Sequence, residues 1–173
     1  TSNFKKRSQY VTGDPRFSSV KKGTKNVVYL WAKKEFQNIS KCYDCGIPVV
    51  KPRHVSKNIL IMDFEGKDGK PENTLLESEI DENDYHQSIE LISDLFKKAK
   101  LVHGDFSEYN IFKTKNGLKL FDLGSAVDTT HPNTMNFLKR DINNITNFFV
   151  KRGLTVENPA DILERITKWA LKN

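Results

Sequence analysis

Residues 101–124 constrain this chain more than any other stretch of it. Leu101-Val102 runs into His103-Gly104-Asp105-Phe106-Ser107-Glu108-Tyr109-Asn110, and Leu120-Phe121-Asp122-Leu123-Gly124 follows close behind. Between them Ile111-Phe112-Lys113 and Leu118-Lys119-Leu120-Phe121 alternate like strands around Thr114-Lys115-Asn116-Gly117, whose Asn-Gly predicts a tight type I′ turn. Folding that hairpin back brings Asn110 at one end close to Asp122 at the other. A polar loop with an Asp and an Asn, then a second Asp after an apolar run, describes a two-cation phosphate site. In such chemistry one Asp orients the attacking hydroxyl, while an Asn and a second Asp hold Mg²⁺ against the phosphates. Asp and Asn are ordinary loop residues, but chance would have to supply the spacing, the hairpin and the second Asp together.

The order His103-Gly104-Asp105, Asn110, Asp122-Leu123-Gly124 resembles the catalytic and metal-binding loops of a protein kinase. Its Ser107-Glu108-Tyr109-Asn110 ending resembles the RIO family of atypical Ser/Thr protein kinases. Typical protein kinases carry Arg before the catalytic Asp; Gly104 stands there, so no binding surface built on that Arg is expected. The resemblance implies Asp105 as catalytic, Asn110 and Asp122 as metal ligands, and ATP with Mg²⁺ (or Mn²⁺) as cofactors. It also implies His103 and Asp141 as structural support, Asp141 by accepting hydrogen bonds from the catalytic-loop backbone. Family members are reported to carry phosphate on the metal-loop Asp, a position Asp122 holds here, which makes ATP hydrolysis through an aspartyl-phosphate a variant of the implied activity.

Upstream, apolar residues recur with helical period at Val28, Trp31 or Ala32, Phe36, Ile39 and Tyr43, and Gly46 then Pro48 supply the stop. Glu35 falls on the same stripe, and a buried unpaired carboxylate is costly, so it needs a cation or a wet edge. In the resemblance Glu35 pairs with the nucleotide-binding Lys. Gly46–Pro52 reads as a proline-bounded extended strand, and Asn58–Phe64 as the most strand-like stretch, a buried strand leading into the turn-rich Glu65–Pro71. That is the pattern of a hinge beside an adenine. The resemblance puts Met62 at the back of the nucleotide pocket and has Asp63 and Glu65 offer main-chain hydrogen bonds.

Further along, Tyr85, Ile89, Ile92, Leu95 or Phe96 and Ala99 predict a helix under the catalytic loop, with Lys97, Lys98 and Lys100 at the end where cations suit its dipole. His86 falls on its polar side as a surface residue. After a short polar connector, Ser125 to Pro132, one helix is outlined by Phe137, Leu138, Ile142, Ile145, Phe148 and Phe149, and another by Ile162, Leu163, Ile166, Trp169 and Ala170. Residues 1–26, with Lys5-Lys6-Arg7 and Gly13-Asp14-Pro15-Arg16-Phe17, read as a long basic loop. No glycine-rich phosphate loop and no strand lysine stand upstream of Glu35. The sequence therefore looks like a RIO kinase without its first strands, a truncated or cleaved piece expected to be inactive alone.

The expected architecture is an α+β, protein-kinase-like two-lobe fold: a partial small lobe at residues 1–64, a hinge at 65–69 and a helical lobe at 70–173. No apolar run is long enough to span a bilayer, and a cytoplasmic location is expected. Cys42 and Cys45 form one Cys-x-x-Cys with no second pair, which favours reduced thiols near a helix end over a zinc site. The net charge of +6 fits an anionic partner such as nucleotide or RNA. By resemblance the intact protein acts in maturation of the small ribosomal subunit, on a pre-40S or 30S particle or its rRNA, with an unspecified protein phosphoacceptor. The Ile59–Gly69 and Gly13–Phe17 patterns point to the archaeal-like subfamily without a winged-helix domain. Two rival classes are a small-molecule phosphotransferase of the aminoglycoside or choline kinase type, and a non-catalytic module that docks on pre-ribosomal RNA.

Overall fold

The computed structural model describes residues 24–170. The Lys5-Lys6-Arg7 and Gly13–Phe17 stretches lie outside the described residues, as does the side chain of Trp169. The first element is a long helix, α1 (Thr24–Asp44). Gly46 ends it at φ 72, donating to Tyr43 O at 3.0 Å while Ile47 N–H reaches Cys42 O at 3.0 Å, the paired bonds of a left-handed helix cap. The buried face of α1 is not the stripe read from apolar spacing. Ala32, Ile39 and Cys42 are buried as apolar spacing allows, but so are Lys34 and Asn38, while Tyr43 is 42% exposed. The polar pair is tolerated because both side chains find backbone carbonyls in the loop after Asp122. Burial lifts the Cys42 thiol to about 12, which leaves it an unreactive core residue, and Cys45 is likewise free.

Helix α1 packs on an antiparallel hairpin of β1 (Pro52–Ser56) and β2 (Ile59–Met62), in the register Val55 to Leu60 and His54 to Ile61. Two readings of this region need correction. Up to Pro52, where β1 begins, the Gly46–Pro52 segment makes no strand: Val49 forms a single parallel bridge to Leu120, with Val50 N–H on Leu120 O and Leu120 N–H on Pro48 O. Its flanking prolines lack the N–H that a longer ladder needs. Nor is β2 buried among the described residues, since Ile59 and Ile61 are 60% and 50% exposed and only Leu60 meets the core. The following connector is an ordered hairpin, β3 (Gly66–Lys67) with β4 (Lys70–Pro71), turned by Asp68 and Gly69 at φ 53 and 77. Asp-Gly at those angles suits the right-handed twist of paired strands.

A short 3₁₀ turn, Leu75–Glu77, precedes α2 (Glu82–Lys97). Asp81 caps α2 by accepting from Asp84 N–H at 3.0 Å, and Asp84 answers by accepting from Asp81 N–H at 2.9 Å. The buried face of α2 carries Tyr85, Ile89, Ile92, Leu95 and Phe96 as the periodicity predicts, with His86 exposed. It lies against β5 (Leu101–Val102), α3 (Thr134–Lys151) and α4 (Pro159–Ala170). The stretch read as a polar connector contributes a buried strand residue: β8 (Val127–Asp128) pairs antiparallel with β5.

Between them β6 (Ile111–Thr114) and β7 (Gly117–Leu120) form the expected hairpin in the register Ile111 to Leu120. Its turn differs from the expectation. Among the described non-glycine residues positive φ is confined to Lys57, Asp68 and Lys100, so Asn116 is not in a type I′ turn; of the Asn116-Gly117 pair Gly117 alone, at φ 107, has positive φ. The Thr114 hydroxyl explains the choice, donating to Gly117 O at 2.8 Å and accepting from Asn116 N–H at 3.1 Å.

Candidate active site

The loop 103–110 leaves β5 from the centre of the core, where Leu101 and Val102 are fully buried. Gly104 reverses the chain at φ 75, a conformation that favours glycine. Two consecutive residues of α3 then hold the backbone on either side of Asp105. Asp141 accepts from Gly104 N–H at 2.7 Å with one carboxylate oxygen and from Phe106 N–H at 3.1 Å with the other. Arg140 donates to the Gly104 carbonyl. Phe106, fully buried, anchors the loop and meets His103 edge-on at 5.5 Å, while the Asp105 side chain is left exposed.

These anchors are themselves perturbed. Burial pushes Asp141 up to about 7, against its two N–H donors and the Arg140 guanidinium, which favour the carboxylate. Burial likewise lowers the His103 pKa, outweighing Asp122 and Asp105, whose charges favour the cation. Neither ring nitrogen of His103 makes a hydrogen bond of good geometry, although the Asp122 backbone lies near the ring, so the imidazole is a neutral wedge behind the loop.

Asn110 closes the loop. Its Nδ2 donates to the Asp105 carbonyl at 2.9 Å and its N–H to Ser107 O at 3.0 Å. With Nδ2 engaged at the Asp105 carbonyl, Oδ1 is the acceptor this side chain can offer. At the far end of the hairpin Phe121 N–H reaches Asn110 O at 3.3 Å, which puts Asp122 one residue from Asn110 across the ladder. Phe112 stacks on Phe121 at 4.1 Å and stiffens this junction. Asp122 is exposed and one carboxylate oxygen accepts from Gly124 N–H at 3.0 Å. The exposed Asp122 carboxylate and the Asn110 amide oxygen offer an all-oxygen donor pair. It is short of a full protein cage and suits Mg²⁺, which keeps several waters and is shared with phosphate oxygens. No cluster of three or more His, Cys, Asp or Glu that could hold a metal occurs among the described residues.

The remaining sequence candidates sit along β2 and the hairpin after it. Met62 ends β2 opposite Pro52. Asp63 is held in a fork by Arg53 at 2.5 and 2.8 Å, which keeps its carboxyl below the usual range, and its N–H is taken by Lys51 O. Glu65 pairs with Lys119 of β7 at 2.7 Å and its carbonyl accepts from Glu72 N–H. Thus the Asp63 N–H and the Glu65 carbonyl are committed internally, and the main-chain groups left for a ligand edge are the Asp63 carbonyl and the Glu65 N–H. Glu35 lies half-buried on α1. Sequence reading missed Lys34 and Asn38, which grip the loop after Asp122, and the holding role of Arg140. The signal for the first two was present as a polar pair four apart on one helix face, beside the apolar stripe.

Residues 1–162 match the family model of the RIO domain. Among curated proteins the chain is 36% identical over 170 residues to the Serine/threonine-protein kinase rio1 of Dictyostelium discoideum, covering 95% of this chain and 30% of that protein. It is 36% identical over 168 residues to the RIO-type serine/threonine-protein kinase Rio1 of Thermoplasma acidophilum, covering 97% and 89%. The chain thus spans less than half the length of the eukaryotic Rio1 relatives it matches and most of the archaeal one. Among solved structures it resembles the Rio2 kinase-ADP/Mg²⁺-phosphoaspartate complex from Chaetomium thermophilum, with a TM-score of 0.65 and 26% identity over 80% of this chain and 44% of that one. The fold is α+β and protein-kinase-like. A match running from residue 1 to residue 162, on that fold, means that this chain belongs to the RIO domain family.

Proposed function

We propose that the chain carries the reaction centre of an ATP-dependent phosphoryl transferase, an atypical Ser/Thr kinase or ATPase. The observation that carries this reading is the Asn110 amide bonded to the Asp105 backbone while the β6–β7 hairpin delivers Asp122 beside it. In it Asp105 would orient the attacking hydroxyl and take its proton, and Asn110 and Asp122 would hold Mg²⁺, which would supply charge neutralisation at the phosphates. The adenine edge would meet the Asp63 carbonyl and the Glu65 N–H, with Met62 behind it, in the crevice between a small lobe (residues 1–64) and a helical lobe (70–173) joined at 65–69. Glu35 would pair with a nucleotide-binding lysine.

A second reading is favoured by the Chaetomium Rio2 complex, which contains a phosphoaspartate. In this chain Asp122 would attack the γ-phosphorus, a P–O bond forming as the bond to ADP breaks, and water would then hydrolyse the aspartyl-phosphate. The net charge of +6 supports an anionic partner, and family membership supports maturation of the small ribosomal subunit, in the cytoplasm, as its setting. No helix of the described residues is long and apolar enough to cross a membrane.

The test is phosphate release and phosphoacceptor labelling by the full-length protein. Asp105→Asn should keep nucleotide binding and lower turnover by roughly 10²- to 10⁴-fold, the range for loss of a general base. Unchanged turnover would remove Asp105 from the mechanism. Alkali-labile, hydroxylamine-sensitive label on the protein, stable to cold acid and lost in Asp122→Asn, would select the aspartyl-phosphate route.

A further inference from the structure

Helix α1 reaches the metal loop through three side chains, Trp31, Lys34 and Asn38. Lys34, with no exposed surface, donates to Gly124 O at 2.9 Å and Ala126 O at 2.6 Å. Asn38, equally buried, donates through Nδ2 to Leu123 O at 2.9 Å and Ala126 O at 3.0 Å. The Trp31 indole closes the third side: a Cβ on Gly124 would stand 2.6 Å from its Nε1. The Lys34 ammonium is 5.4 Å from the Trp31 ring centroid.

Lysine is seldom fully buried unless its charge is compensated. Here part of the compensation is the backbone of the segment directly after Asp122, three of whose carbonyls are drawn onto one helix face. The Asp122 carboxylate is in turn oriented by Gly124 N–H, on the very residue whose carbonyl Lys34 holds. Buried polar contacts of this kind, when fully satisfied, specify one conformation of the groups they bind. Moving α1 away from the loop would break all four hydrogen bonds together and release the Asp122 rotamer.

We propose that Lys34 and Asn38 are positioning residues for phosphoryl transfer, fixing loop 122–126 so that Asp122 meets the metal, and thereby making metal affinity depend on the seating of α1. This rests on the reading of Asp122 as a metal ligand. Groups that orient a ligand from behind alter metal affinity by roughly 10- to 100-fold when removed.

The test is Mn²⁺ binding to the ADP complex of the full-length protein, read by electron paramagnetic resonance, beside ADP affinity in the absence of metal. Lys34→Met and Asn38→Leu should each weaken Mn²⁺ by about tenfold or more, leave metal-free ADP affinity within about twofold, and lower kcat. Lys33→Met, an exposed neighbour on the same helix, should match the wild type. Folded variants with wild-type Mn²⁺ affinity overturn the proposal. Should both variants fail to fold, hydrogen exchange on the wild type decides: adding Mn²⁺ to the ADP complex should slow the amides of residues 31–38, and no slowing there overturns it. Asp122→Asn separates the two readings. If it abolishes Mn²⁺ binding while the helix variants do not, only the positioning role falls; if it leaves Mn²⁺ binding intact, the metal assignment and the positioning role fall together.

Discussion

The Asp141 carboxylate accepts the Gly104 N–H at 2.7 Å, tying helix α3 to the turn that presents Asp105 from a position 37 residues earlier in the chain. The same side chain takes the Phe106 N–H, so both peptides flanking the proposed base are fixed by one buried group. Asp105 itself then needs no contact of its own to be placed. That leaves its carboxylate available to a substrate hydroxyl.

Asp141→Ala should therefore be costly for stability and activity alike. It strands two buried N–H groups, each worth about 1–3 kcal/mol when left without a partner. A loss of roughly 3 kcal/mol in urea unfolding is expected, with turnover reduced further than Asp105 exposure alone would suggest. Asp141→Asn keeps one acceptor oxygen and should lose less. Equal stability of Asp141→Ala and wild type would show that the loop finds other partners.

The two buried titratable groups behind the loop act in opposite directions on pH dependence. Asp141 has a raised folded-state pKa of about 7, so its contribution is present below its unfolded value and is lost as pH rises towards 7. His103 is held neutral by burial, with its folded pKa below the ordinary 6.5, so its contribution is lost as pH falls through that region. Asp141→Asn removes the first effect and keeps the second. Its stability should climb more steeply between about pH 5 and 7 than that of the wild type, by at most about 1.4 kcal/mol per pH unit. Parallel curves would mean that Asp141 stays ionised throughout that range.

The nearness of Asp105, Asn110 and Asp122 was legible in the sequence because it is local: one hairpin, whose strands alternate, joins them. The α2 and α3 faces were legible because apolar residues dominate them, polar Asp84, Ser88, Asp141 and Thr146 being the buried exceptions. What could not be read is polar burial across distance. Lys34 and Asn38 look like solvent residues until the carbonyls of Leu123, Gly124 and Ala126 arrive 85 to 92 residues later in the chain. The β2 face was misread for the opposite reason, since Ile59 and Ile61 have the composition of a buried strand yet are exposed among the described residues.

Asn110→Ala and Asp122→Ala should weaken Mg²⁺-nucleotide binding together and not additively, because both would ligate one metal-phosphate unit and Asn110 also holds the Asp105 carbonyl. Calorimetric titration of the two single variants and the double variant would read this. Full Mg²⁺-ATP affinity in Asp122→Ala would reduce the hairpin to a structural role.

The turn between β6 and β7 offers a test in which two neighbouring substitutions should differ. Gly117 is at φ 107, and a Cβ there would meet the Gln87 side-chain oxygen at 2.5 Å, the same oxygen that accepts from Leu118 N–H at 3.0 Å. Gly117→Ala therefore combines backbone strain with loss of a tether from the hairpin to α2, and about 1–3 kcal/mol of destabilisation is expected. Asn116 lacks positive φ and uses its N–H, not its side chain, to meet Thr114 Oγ1, so Asn116→Ala should stay within about 0.5 kcal/mol of wild type. A type I′ turn would need positive φ at both residues and would make both substitutions costly. Equal losses in thermal unfolding would restore that turn, whereas a loss confined to Gly117→Ala would establish the Thr114 hydroxyl as the group that sets the hairpin joining Asn110 to Asp122.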